Sequence, residues 1–190
     1  MVSFKSNAKN YRDAESMAAA YLAAYFANSK IKYPLNPFKM LKDEGVEFKI
    51  CNFNKLEGVY IPAQSQEDIS IVGISAKRPI TRQRFTAAHE LCHHFRDADK
   101  QVACPIGKKN ASEYFADAFA SALLMPMGEL KIKVNEYKDI NGNVSFDDIL
   151  KIADYFGVSV KYLMTGKEEP EEKKNPFGDL KGIYLSYAKE

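Results

Sequence analysis

His89-Glu90-Leu91-Cys92-His93 sets two imidazoles four residues apart, with a carboxylate directly after the first. On an α-helix each residue advances about 100°. His93 then lies one turn along from His89 and about 40° round, so both rings reach one point. A zinc ion fits there, because it takes imidazole nitrogens at about 2.0–2.1 Å. Glu90 is offset to the side, where it can act as a base towards a water at the metal without ligating it. Phe85, Ala87, Ala88, Leu91 and Phe95 flank the run with apolar surface. The helix is therefore expected to be buried, and buried His and Glu need partners.

A catalytic zinc usually takes three protein ligands. The only other histidine is His94, so the third ligand is sought among carboxylates and thiolates. Asp99 stands where an extended H-E-x-x-H-x-x-G-x-x-H pattern has its last ligand, but Arg96 replaces the glycine that pattern needs. Cys104 can ligate as a thiolate, but Ala103-Cys104-Pro105 reads as loop and a free thiol is the better reading. Glu113 fits best. Residues 112–124 read as a helix stopped before Pro126. Glu113, Ala116, Asp117, Ala120 and Leu124 share one face of it. Two carboxylates on a stripe of Ala and Leu suit a ligand, Glu113, and a hydrogen-bond partner for a ligand imidazole, Asp117. A helix-dipole role for Glu113 is the competing explanation.

These two segments, Arg84 to Phe95 and Glu113-x-x-Ala116-Asp117-x-Phe119-Ala120 to Pro126, resemble the ImmA/IrrE-type metallopeptidases. The likeness spans roughly residues 15–165. It implies a gluzincin-like site with one zinc per chain on His89, His93 and Glu113, and Glu90 as the catalytic residue. It also implies a protein substrate, since such proteins cleave a helix-turn-helix repressor of a mobile element, prophage or stress operon. Cys92 replaces a usual glycine and Asp117 a frequent Asn; neither change removes a ligand. A second donor for the developing oxyanion is sought among Tyr60, Tyr114, Tyr137 and Arg84. The competing reading is a regulator that contains zinc and acts by binding, as an anti-repressor or on DNA.

The fold expected is α+β: a small three-stranded, mostly antiparallel sheet packed on helices, with a helical C-terminal part. Helices are expected at 11–28 and 37–44, strands at 46–51, 58–62 and 69–75, and a zinc-binding helix capped by Thr81. The third strand is the expected edge for an added substrate strand. Residues 97–111 read as a loop. Ser145 and Asp148 form a capping-box-like start to a helix at 146–156, with a short helix near 160–164. The expected domains are a peptidase core at 1–130, a helical subdomain at 131–166, and a charged linker and tail at 167–190.

A net charge of +2 over 190 residues gives no electrostatic case for nucleic acid or a membrane surface. Lys161 is nearly the only basic side chain on the last short helix, which argues against groove reading. Three irregularly spaced cysteines fit a reducing cytoplasm better than a disulfide framework. Ala18–Ala27 is too short to span a membrane and reads as a core helix.

Overall fold

The computed structural model describes residues 4–65, 67–106 and 110–166. The expected tail at 167–190 lies outside them. Short helix α1 (Phe4–Asn7) and a 3-10 turn lead into α2 (Ala14–Tyr25), whose first turn is capped by Asp13 accepting from the Ser16 amide at 2.7 Å. Asn36 caps α3 (Pro37–Asp43) in the same way, with Pro37 in the first turn where its missing N–H costs nothing. Strands β1 (Val46–Cys51), β2 (Leu56–Ile61) and β3 (Ser70–Ser75) follow, then the long helix α4 (Ile80–Arg96).

The sheet corrects the expectation in two ways. It has a fourth strand, β4 (Val102–Pro105), and its order is β1-β3-β2-β4, with β1 parallel to β3 and the other pairs antiparallel. Alternation of side chains announces a strand but not its neighbour. Pro105 made the last segment read as loop, yet a proline is tolerated on an edge strand, where one side needs no ladder bond. β3 is central, so it cannot accept an added strand; the edges are β1 and β4.

Helix α4 packs against the sheet on one side and α5 (Ala111–Leu124) on the other, and α2 lies on α5. Every residue from Phe85 to Phe95 is buried. Tyr21, Phe95 and Phe119 meet at the centre, with ring centroids 4.9–6.5 Å apart. Thr81 does not cap α4. The helix begins at Ile80 behind Pro79, and no side chain caps it, so Thr81 already lies inside the first turn.

Helix α6 (Met127–Tyr137) was not expected. None of its residues is fully buried, so it carries little apolar periodicity, and Pro126 ends one helix while starting the next. Helices α7 (Phe146–Phe156) and α8 (Val160–Thr165) begin at Ser145 and Ser159, each accepting a backbone N–H. Their inner residues Ile152, Ala153, Phe156 and Tyr162 belong to the same buried cluster as α4. Arg84 ties the two parts together by donating to the carbonyls of Leu35 (2.6 Å) and Phe156 (3.4 Å).

Gly157 ends α7 in the left-handed conformation, φ +65°, and a Cβ there would come within 2.8 Å of the Arg84 guanidinium. Gly157→Ala should therefore lower unfolding free energy by about 1–3 kcal/mol, from backbone strain and the displaced arginine. Denaturant titration measures this; a loss under about 0.5 kcal/mol, the size typical of neutral surface changes, would contradict it.

Candidate metal centre

The helical register of α4 turns His89 and His93 to one point, with their Nε2 atoms 3.1 Å apart. Each ring is held from behind by an aspartate. His89 Nδ1–H donates to Asp117 of α5 at 2.9 Å, and His93 Nδ1–H donates to Asp97 at 2.8 Å. A carboxylate only accepts when ionised, so these bonds place a proton on each Nδ1 and turn each Nε2 inward. Asp97 is itself held by the Ser112 hydroxyl at 3.1 Å and the Lys100 ammonium at 2.9 Å.

Glu113, in the first turn of α5, faces both rings. Its Oε2 is 3.4 Å from His89 Nε2 and its Oε1 is 3.3 Å from His93 Nε2. Asn110 caps this helix by accepting from the Glu113 amide at 3.1 Å, which fixes the turn that carries the carboxylate. Cys104 of β4 completes the group. Its Sγ lies 3.3 Å from His89 Nε2 and 3.7 Å from Glu113 Oε1. One donor atom from each of the four residues falls within 4.8 Å of every other, and all four residues are buried.

These separations bring the donors near enough to share one zinc ion. Ligands at ordinary zinc distances stand roughly 3.3–3.6 Å from one another. The five separations given above, which use both oxygens of Glu113, span 3.1–3.7 Å, and with one donor atom per residue all four lie within 4.8 Å of one another. The chemistry of the donors also fits, because imidazole, carboxylate and thiolate are all zinc ligands.

The electrostatics point the same way. Burial opposes charge on His93, but Asp97 and Glu113 outweigh it and push its pKa up to about 9. His89 is likewise raised, burial being overcome by Asp117 and Glu113. Burial works against ionisation of Glu113 too, yet the two imidazoles hold its carboxyl well below the usual range. The pocket thus favours positive charge at its centre, which is what a metal ion provides.

Glu90 differs from its neighbours. It is fully buried, and neither carboxylate oxygen has a hydrogen-bond partner. Burial pushes its pKa up. Its carboxylate rests against Gly58 of β2, where an added Cβ would stand 2.1 Å from Oε1. Gly58 is thus a residue the site depends on, through the close approach of strand to helix.

The other residues singled out from sequence lie elsewhere. Asp99 is exposed and pairs with Lys9 at 3.5 Å. Tyr60 is buried with its hydroxyl 3.2 Å from Ser70 Oγ and 3.2 Å from His94 Nδ1. Tyr114 is exposed, and Tyr137 stacks under the Lys151 ammonium. Arg84 turns its Nη2 to the backbone carbonyls of Leu35 and Phe156. None of these five lines the small cleft at the cluster. That cleft is bordered instead by Arg82 and Glu57, which pair at 3.2 Å, and by Thr86 and Pro105. Cys92 is buried and packs as a small apolar group, its thiol pKa raised by burial.

Two of these residues carry a local sequence signal. Asp97 follows His93 by four residues and so shares its face. Arg82 precedes His89 by seven, two turns along the same face.

Residues 41–164 match the model of the IrrE N-terminal-like domain, Peptidase_M78. The chain belongs to this family. No curated protein matches it. Membership of Peptidase_M78 supports a metallopeptidase kind of function and makes zinc the metal suggested for the cluster. Among the described residues no helix is long and apolar enough to cross a membrane.

Gly58→Ala should displace the Glu90 carboxylate while leaving the donor cluster in place. Zinc content should stay near wild type and peptidase turnover should fall by about 10²-fold, the usual cost of an ångström-scale misplacement. Unchanged turnover would show that the contact does not position Glu90. Asp117→Asn should weaken zinc binding by roughly 10–100-fold, measured by competition with a chelator; an unchanged affinity would mean Asp117 does not support His89.

Proposed function

We propose that this protein is a zinc-dependent endopeptidase that hydrolyses a regulatory protein, with a helix-turn-helix repressor as the substrate class. One observation carries the enzymatic part: a fully buried carboxylate, Glu90, left without a partner beside the donors of a metal centre. A structural zinc site has no use for such a group, and leaving it unpaired costs several kcal/mol. A peptidase needs a base there. The family resemblance carries the substrate class.

In this reading His89, His93 and Glu113 hold the zinc, and Asp117 and Asp97 orient the two imidazoles. Zinc bound there supplies a Lewis acid that polarises a peptide carbonyl and acidifies water. Glu90 takes the proton from the attacking water and passes it to the leaving amine. Burial suits it to both halves of the task, because a raised pKa brings a carboxylate nearer the working pH. β4 is the sheet edge beside the cluster, so an extended substrate aligns there and not on the central β3. A cytoplasmic location belongs to this reading, since a reducing compartment keeps Cys104 a thiol.

Elemental analysis of wild type, Glu90→Gln and Glu113→Gln, run beside cleavage of a helix-turn-helix repressor encoded next to this gene, tests the proposal. The expected result is about one zinc per chain in wild type and Glu90→Gln, as for a single four-coordinate site. Glu113→Gln should hold less, and only the wild type should cleave. Cleavage by Glu90→Gln would refute the mechanism. Zinc without cleavage by wild type would favour a regulator that works by contact.

A further inference from the structure

Cys104 is not needed by the reaction as described, yet its sulfur sits among the ligand donors. It lies 3.3 Å from His89 Nε2 and 3.7 Å from Glu113 Oε1, and the residue is buried. Three protein ligands leave a zinc one open position, whereas four close it. The cleft at the cluster has a volume of about 20 Å³, room for little more than one water. A peptide cannot enter it in this arrangement.

Glu90 supplies the second observation. Its unpartnered, fully buried carboxylate lies against Gly58, the strand residue that pairs with Cys104.

We propose that Cys104 is a fourth metal ligand that closes the site, so that this arrangement is a resting state and hydrolysis requires the sulfur to withdraw. The inference rests on the zinc-site reading above and adds regulation to it. The exchange is balanced without redox chemistry. On closing, the S–H bond breaks, a metal–sulfur bond forms and one proton goes to solvent; on opening, the metal–sulfur bond breaks and the thiolate takes up one proton.

The fold provides the moving part. Cys104 is carried by a four-residue edge strand that, among the described residues, is bonded to β2 alone. The register of that pairing is broken between Leu56 and Gly58, and Gly58 is the residue that pairs with Cys104. A short edge strand beside a ladder irregularity is held by few bonds and can shift without unfolding the core. Gly58 also touches Glu90, so the strand that pairs with Cys104 is the one against which the base rests. A substrate strand binding along β4 is thereby coupled to both groups.

Cobalt(II) substitution tests this. Wild type, Cys104→Ala and Cys104→Ser are loaded with cobalt, metal content is measured, and absorption spectra are recorded with and without acetohydroxamate, a ligand for open metal positions. The expected wild-type spectrum has a sulfur-to-cobalt charge-transfer band in the near ultraviolet. Both variants should bind cobalt to the same stoichiometry and lose that band. Their visible bands should shift at lower acetohydroxamate concentration than those of wild type. Cobalt bound by wild type without the charge-transfer band, the band surviving in both variants, or equal response to acetohydroxamate would overturn the closed-site inference and leave the metal centre standing. Failure of wild type to bind cobalt would overturn the metal centre itself.

Discussion

The structure turns on the burial of one helix that carries charge on its inner face. Helix α4 is sandwiched between the sheet and α5, and its central residues from Phe85 to Phe95 are all withdrawn from water. His89, Glu90 and His93 have no solvent to meet their hydrogen-bonding needs, so the surrounding elements must do so. Asp117 on α5 and Asp97 just past α4 take the outer imidazole nitrogens. Glu113 takes the inner face, and β4 brings a sulfur to it. Only Glu90 is left over. The packing that makes a stable core thus leaves one uncompensated acid beside a ready-made set of metal donors.

The same packing explains why small residues matter around the site. Ala116 and Ala120 let α5 approach α4 closely enough for Glu113 to reach both rings, and both alanines are fully buried. Gly58 does the same for the sheet. The donors arrive from α4, α5 and β4, so the candidate metal centre joins elements that contact one another across the core. Helices α7 and α8 add their apolar faces to that core, and Arg84 pins them to it through Phe156.

What the sequence revealed follows from which relations are local. His89, Glu90 and His93 sit on one helix, so periodicity alone sets their mutual placement. Glu113 and Asp117 were conspicuous as carboxylates on an alanine face. Cys104 was not, because its position depends on a strand order that puts β4 beside β2, and no local pattern encodes that order. The parallel pairing of β1 with β3 was hidden for the same reason. Tyr60 and Arg84 were plausible donors by chemistry, but the Tyr60 hydroxyl meets Ser70 and His94 and Arg84 Nη2 meets backbone carbonyls in the folded chain. Helix α6 buries no side chain completely and so leaves little apolar signal in the sequence.

The most direct test of the central claim is anomalous diffraction at the zinc edge from crystals of the zinc-loaded protein. A single strong peak should lie among His89 Nε2, His93 Nε2 and the Glu113 carboxylate, at about 2.0–2.2 Å from each. No peak there in zinc-loaded crystals, or a peak held by other residues, would contradict the account.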